Sequence, residues 1–513
     1  MALDTQPTKV EGMVAQQRQL PKAANLQEHL CANASFSYAE VEASGTAARP
    51  LEFPSPTVHR GHRISAKAVD PQTGEVQRIK NVIVREKDFS HGIPHVPTRG
   101  YRIIKKLCDS AYGSVRLGLV MKRRHTFHGE ITSHQRSNDR NSLGSISEDG
   151  DFNSCESSMD RLTVESGIVW ESTDEFVVVK LMSWAKIHQL RGRHLEDPVK
   201  EIAALNLIGN SSPHVIGSIE VIQDENYLYS IMPYCNGGDL YKQTMNEIAS
   251  RESGRISESQ ARHWFRHILH GLNHMQNKGV CHRDLSLENI LIHDNRCVIV
   301  DMGMSLRVPY ADPCNQNHTT DASAGTIRRL IQAQGQGGRW TYMAPEVVAR
   351  DEKFDGFAID LWSAGVILFI MLVGRAPWAM AIESDAHFTI LSNGGVSETL
   401  QHWDVPSSEE ACDLLQGMMW RDPSKRLTLS QIANHPWVAN RSKVKQPENL
   451  HVAIEEEDLE ATVKKDEMTK DDNAPKESQP KKEMASRPTS KIITAASHAP
   501  SKLIRGMLKE ISC

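Results

Sequence analysis

The stretch that most constrains this chain is His282-Arg283-Asp284-Leu285-Ser286-Leu287-Glu288-Asn289, followed twelve residues after the Asn by Asp301-Met302-Gly303. Asp284 is a carboxylate able to orient a hydroxyl group. Asn289, five residues on, offers an amide oxygen to a metal ion, and Asp301 adds a second carboxylate on the next hairpin. These three groups serve one site only if the loop and the hairpin meet. Together they are the polar equipment that phosphoryl transfer from a metal-bound nucleotide requires.

Other segments fit the same chemistry. Tyr101 to Leu107 alternates as a strand does, and Val115 to Val120 reads as its partner. Phe176-Val177-Val178-Val179-Lys180-Leu181-Met182 is an apolar strand broken by one lysine, a residue that ordinarily snorkels to solvent. Glu201, 21 residues on, lies among apolar residues at helical spacing and is a partner for that ammonium. Leu228 to Leu240 reads as a strand and a Gly-Gly turn. Ala344-Pro345-Glu346, Asp360-Leu361-Trp362-Ser363-Ala364-Gly365, Arg426 and His435-Pro436-Trp437 follow in that order.

In this order the motifs resemble those of protein kinases, over about two-thirds of the chain. The resemblance implies an α+β, bilobal protein kinase fold, with a small antiparallel β N-lobe carrying one main helix and a larger, mostly helical C-lobe. It implies ATP and Mg²⁺ in the cleft and transfer of the γ-phosphoryl group to Ser or Thr hydroxyls of protein substrates, in intracellular signalling. Lys180 would contact the α- and β-phosphates, held by Glu201. Asp284 would orient the hydroxyl, and Asn289 and Asp301 would bind the metal. The nucleotide would lie among Leu107, Gly113, Val115, Val178, Lys180, Met232, Pro233, Cys235, Asp239 and Leu291. Met232 would gate the back of the adenine pocket, Asp239 face the ribose and Leu291 form the floor. Glu346 would pair with Arg426. Arg283 is a cation that a phosphorylated activation loop would neutralise, which implies an upstream activating kinase and makes Thr319, Thr320, Ser323 and Thr326 candidate phosphosites.

The chain departs from the family pattern at several positions. Cys108, Ser110 and Gly113 stand where three glycines are usual, and Met302 replaces a Phe. Serine/threonine kinases carry Lys where this chain has Ser286. They carry Thr where Gly338-Arg339-Trp340-Thr341-Tyr342 has Arg339. Cation and hydroxyl have exchanged places. Arg339 is therefore expected to supply positive charge near Asp284 and the γ-phosphate, and Ser286 the bridging hydroxyl. The alternative is a catalytically impaired pseudokinase that serves as a nucleotide-binding scaffold. Lys180, Glu201, Asp284, Asn289 and Asp301 are all present, which favours an active enzyme.

A net charge of −5 over 513 residues gives no field that would draw nucleic acid or an anionic membrane. Nine scattered cysteines without a C-x-x-C pair point to a reduced, intracellular protein, cytoplasmic in the first instance with the nucleus as the other open compartment. No transmembrane segment is expected, because the longest apolar run, Leu361 to Gly374, is short for a bilayer and reads as a buried helix. Residues 1–85 read as a mostly disordered extension with a hairpin at 62–84. The kinase domain spans 95–440, with polar insertions at about 122–170 and 309–337 that read as mobile loops. Residues 441–513 read as a disordered tail ending in a short amphipathic helix. His263, His267, His270 and His274 share one face of a helix from Ser257 to Gly279, opposite its apolar stripe, and are expected to form a solvated polar face rather than a metal site.

Overall fold

The computed structural model describes residues 47–440, apart from 72, 87, 91–92, 96–97, 125–168 and 194. Residues 1–46, most of the 122–170 insertion and the 441–513 tail with its helix lie outside the described residues.

The N-terminal lobe is built from β1 (His59–Val69), β2 (Val76–Arg85), β3 (Asp88–Ser90), β4 (Ile93–His95), β5 (Arg99–Ser110), β6 (Gly113–Arg124), β7 (Val169–Ser183), β8 (Glu220–Gln223) and β9 (Tyr227–Pro233). Seven of these close into a barrel in the order β1-β2-β5-β6-β7-β9-β8. The hairpin expected at 62–84 spans 59–85 and is an integral part of the sheet. β2 pairs antiparallel with β5, and His59 and Arg60 of β1 pair parallel with Ile222 and Gln223 of β8. The hairpin thereby covers both edges that a five-stranded sheet would leave with unpaired amides. Its sequence explains the docking, since Val82, Ile83 and Val84 are all buried, so β2 has an apolar surface on each side. Along β7 the alternation is strict from Val177 to Leu181. Val177, Val179 and Leu181 pack inside the barrel with Tyr101, Val120 and Ile231, while Val178 and Lys180 stand on the opposite face.

Two helices attach to this lobe, α1 (Trp184–Leu190) and α2 (Pro198–Ile208). Asp197 caps α2 by accepting the Val199 and Lys200 N–H groups, and Pro198 occupies the first turn, where its missing donor costs nothing.

The second lobe is mainly helical: α3 (Leu240–Ser250), α4 (Glu258–Asn277), α5 (Pro345–Val348), α6 (Gly356–Val373), α7 (Ala386–Leu391), α8 (Val396–His402), α9 (Glu409–Met418), α10 (Leu429–Asn434) and α11 (Pro436–Ala439). Helix α6 is apolar on nearly every face and is buried along its length, as the core of the lobe. Short strands line the cleft side: β10 (Val280–Cys281), β11 (Ile290–His293), β12 (Arg296–Ile299) and β13 (Leu306–Arg307). Arg426 donates two hydrogen bonds of 2.7 Å to Glu346, and both side chains are buried. This fork-to-fork pair anchors the start of α5 to the end of the lobe.

Other expectations also need correction. The 309–337 segment is not a free loop. It contains β14 (Tyr310–Asp312), β15 (Asn315–Thr320) and β16 (Ile331–Gln332), and β16 pairs with β17 (Lys353–Phe354). Its polar composition conceals a few apolar anchors. Tyr310, Ala311, Ala322 and Ile331 are buried, and Arg328 forms a 2.7 Å ion pair with Asp355, the cap of α6. The histidine face of α4 is likewise only partly solvated: His263 is exposed, whereas His267, His270 and His274 are half-buried. His214 stacks on His267 and His270 with centroids 4.7 and 5.2 Å apart, and His263 meets His267 edge-on. His214 Nδ1 lies 3.0 Å from the Cys297 carbonyl oxygen, and His274 Nε2 3.0 Å from that of Ile208.

This packing has a pH consequence. Burial, with Arg296 and the neighbouring rings opposing a further charge, pushes His267 down to about 3. Burial likewise lowers His214 and His274, the latter facing Lys278. In the folded state these rings take up a proton less readily than in the unfolded chain, where each does so below about pH 6.5. Stability is therefore complete above pH 6.5 and is lost on acidification, each fully linked ring contributing a slope of about 1.4 kcal/mol per pH unit. Urea unfolding at pH 7 and pH 5 should show the loss, and His267→Gln should reduce the slope.

Candidate active site

Lys180 projects from the open face of β7 and donates to both Glu201 oxygens, at 2.8 and 2.6 Å. Strand and helix meet because α2 lies across the barrel wall with Ile202 buried against Met182 and Leu228. Burial alone would weaken the Lys180 charge, but Glu201 and Asp301 together hold its pKa above the ordinary value. Asp301 therefore acts on the same ammonium from the other lobe. Its backbone is left-handed, with φ at 69°, and its carboxylate accepts the Gly303 N–H at 3.3 Å. Met302, in place of the family's Phe, is fully buried in the main core.

The catalytic loop hangs from α6. The Asp360 carboxylate accepts the backbone N–H groups of His282 at 2.6 Å and Arg283 at 2.8 Å. His282 is buried, with Nε2 2.9 Å from the Val300 carbonyl and Nδ1 accepting from the Asp284 N–H. The Asn289 amide donates to the Asp284 carbonyl at 2.8 Å and to Asp284 Oδ2 at 2.9 Å. This leaves the Asn289 oxygen as the atom available to a cation. Asn289 and Asp301 thus offer only oxygen donors, a set that fits a hard divalent ion sharing phosphate ligands.

Ser286 and Arg339 come together. Ser286 is buried and caps the short turn Leu287–Asn289, accepting the Asn289 N–H at 3.3 Å. Arg339 Nη1 donates to Ser286 Oγ at 2.9 Å and lies 3.5 Å from both Asp284 oxygens, while its Nε lies 3.5 Å from Glu288. Gly338 permits this approach. Its φ is +100°, and a Cβ there would sit 2.9 Å from Asp284 Oδ1. Burial pushes Asp284 up to about 6, with Asp301 and Glu288 adding to the rise and Arg339 and Asn289 opposing it.

The nucleotide-site candidates fall on β5, β6, β7, β9, the segment between β9 and α3, and β11. Val115 pairs with Lys180, Val178 with Met232, and Asp239 bridges to Leu291. Leu107 sits at a bulge in β5, and Pro233 ends β9 on the surface. Cys235 is buried, and Asp239 is buried as the cap of α3, accepting the Lys242 N–H at 2.8 Å. Gly113 is set by packing, since a Cβ would stand 2.0 Å from the Leu181 carbonyl oxygen. The β5–β6 turn is closed by Ala111 and Tyr112, and Tyr112 folds inward onto Met182 and Ile202 with its hydroxyl donating to the Glu196 carbonyl at 2.6 Å.

Sequence reasoning did not assign site roles to Asp360, Glu288 or Tyr112. Asp360 had a signal, because a lone carboxylate inside an apolar helical run must find donors. For Glu288 and Tyr112 there was none, since their partners are 51 and 84 residues away.

Because Arg339 opposes the rise in Asp284, removing its charge should raise that pKa further. Arg339→Gln should move the Asp284 carboxyl titration, followed by ¹³C NMR, upward from about 6 by roughly one unit or more. A downward or absent shift would mean that the guanidinium does not act on this carboxylate.

The comparisons with known proteins agree with this geometry. The family model described as protein kinase domain matches residues 164–438, just over half of the chain. The chain is 32% identical over 270 residues to the serine/threonine-protein kinase SRK2I of Arabidopsis thaliana, covering 52% of this chain and 65% of that one. It is 30% identical over 270 residues to the SNF-related serine/threonine-protein kinase of Homo sapiens, covering 52% of this chain and 30% of that one. CBL-interacting protein kinase 9 of Oryza sativa subsp. japonica is 28% identical over 270 residues, with 52% and 51% covered. The chain spans less than two thirds of the length of these relatives. The match begins after the β5–β6 hairpin, the part in which two of three family glycines are missing. With its barrel, its α2 ion pair and its catalytic loop assembled as described, the chain belongs to the protein kinase family.

Proposed function

We propose that the chain transfers the γ-phosphoryl group of Mg²⁺-ATP to Ser and Thr hydroxyls of protein substrates, as an intracellular signalling kinase. One observation carries this reading: the Arg339 guanidinium lies 2.9 Å from Ser286 Oγ and 3.5 Å from the Asp284 carboxylate. A chain that had lost catalysis has no need to rebuild the missing cation from a different segment. The pseudokinase alternative is correspondingly disfavoured.

In this reading Lys180, fixed by Glu201, holds the α- and β-phosphates. Asp284, ionised at neutral pH, orients the attacking hydroxyl and accepts its proton. Asn289 holds Asp284 in place through its amide NH₂. Arg339 places positive charge where negative charge grows during transfer. Ser286 fixes the direction of that guanidinium. Mg²⁺ held by Asn289 and Asp301 would neutralise charge on the phosphate oxygens.

Protein substrates are supported by the buried Glu346–Arg426 pair, which anchors the start of α5, and Ser/Thr specificity by the relatives, which are serine/threonine-protein kinases by name. An intracellular location is supported by the free thiols Cys108, Cys235, Cys281, Cys297, Cys314 and Cys412 among the described residues.

Asp301→Ala should abolish Mg²⁺-ATP-dependent autophosphorylation. Arg339→Ala should lower kcat roughly 10²–10³-fold, as loss of one preorganised donor does, while the dissociation constant for ATP stays nearly the same. Unchanged kcat in Arg339→Ala would sink the exchange reading, and a wild-type chain without phosphotransfer would restore the scaffold alternative.

A further inference from the structure

The residues before the barrel belong to the 1–85 extension expected to be mostly disordered, yet they follow a defined path from 47 onward. Ala48 donates its N–H to the Leu330 carbonyl at 2.9 Å, and its own carbonyl accepts the Gln332 N–H at 2.9 Å, extending the β16 strand pair. Leu51 donates to the Arg307 carbonyl at 3.0 Å, and Arg307 Nη1 donates to the Glu52 carbonyl at 3.1 Å. Phe53 packs on the main core of the helical lobe. Seven residues thus join the two limbs of the activation segment, Arg307 shortly after Asp301 and Ile331 shortly before Gly338. Arg307 also pairs with Asp321, midway along that segment.

The chain then crosses to the other lobe. Pro54 and Pro56 stiffen the crossing, because each fixes its own φ and restricts the residue before it. Val58 packs against the apolar cluster that includes Ile202 of α2, the helix that carries Glu201. His59 and Arg60 enter the barrel beside β8. The same stretch brings an attractive charge to α2: burial and Arg283 disfavour the Lys200 ammonium, and Glu52 acts in its favour together with Asp197. Arg283 itself donates to the Gly335 carbonyl at 3.0 Å and lies over the Phe354 ring.

We propose that residues 47–58 are an activating strap acting within the chain. By holding both limbs of the activation segment and packing into the apolar cluster between α2 and the barrel at once, the strap keeps Glu201, Asp301 and Arg339 aligned in the absence of a phosphorylated loop. The proposal rests on the kinase reading above. Its residues are positioning residues, since none touches the reacting groups. The physical basis is additive: main-chain hydrogen bonds fix the segment, apolar contacts fix the helix, and the proline-rich crossing reduces the entropy lost on docking.

The test uses the full chain carrying Leu51→Pro and Phe53→Ala, which removes one main-chain donor and one apolar anchor outside the cleft. Expected are a fall in kcat of about tenfold or more, as small misplacements of catalytic groups produce, an ATP dissociation constant within about twofold of wild type, and faster hydrogen exchange at 198–208 and 306–332. Replacing Thr319, Thr320, Ser323 and Thr326 together by Ala should leave wild-type kcat largely intact. Unchanged kcat in the strap variant overturns the proposal, as does loss of activity in the quadruple variant. If the strap variant fails to fold, hydrogen exchange of the unaltered chain decides. Amides of 48–53 and 306–332 should then open together, and independent opening overturns the proposal. A wild-type chain without phosphotransfer counts against the kinase reading and leaves the exchange test of the strap standing.

Discussion

The site depends first on Asp360. Its buried carboxylate takes two backbone N–H bonds from His282 and Arg283, and burial pushes it up to about 6 in spite of them. Arg283 is left-handed, with φ at 67°, a conformation that costs an L-residue roughly 1–2 kcal/mol. Two charge-assisted bonds from one fixed acceptor offset that cost and set the direction in which Asp284 leaves the loop. Because Asp360 sits in α6, the most buried helix of the lobe, the catalytic loop inherits the rigidity of the core. Everything beyond it, the His282–Val300 contact and the Asn289 clamp on Asp284, is registered to that anchor.

On this frame the exchange of cation and hydroxyl has a simple physical form. A lysine at 286 would be a compact charge on a flexible stem; an arginine at 339 arrives from another segment with a planar fork. The fork reaches Ser286, Asp284 and Glu288 at once. Ser286 is small enough to be buried, and its hydroxyl has two tasks, capping the turn before Ile290 and directing Arg339. The arrangement makes the site depend on the 338–342 segment being in place, since the cation is no longer part of the catalytic loop. An interlobe element that positions this segment, such as residues 47–58, gains importance for the same reason.

The catalytic loop was legible because its chemistry is local: Asp284, Ser286 and Asn289 lie within six residues, and Asn289 bonds both Asp284 and Ser286 within the loop. The bilobal fold was legible from the order of motifs and from the alternation in β7. The 309–337 segment misled because Tyr310, Ala311 and Ile331 are few among many polar residues, and composition averages them away. The histidine face of α4 misled because a helical wheel shows which residues share a side and says nothing of what covers it. The cover is His214, from a segment some fifty residues earlier.

By itself, then, the sequence determined which groups the site contains: the acids, the amide, the lysine and its glutamate, and the arginine that replaces a missing cation. These follow from residue type and short spacing, which a linear chain carries in full. Only the tertiary structure decided that Arg339 lies against Ser286, that Asp360 suspends the loop, that the 59–85 hairpin closes a barrel, and that residues 47–58 join the activation segment to α2. Each of these is a pairing between segments far apart in the chain. Such pairings are selected by the joint burial of apolar faces and by the need to satisfy every buried amide and charge, conditions that no single segment can express.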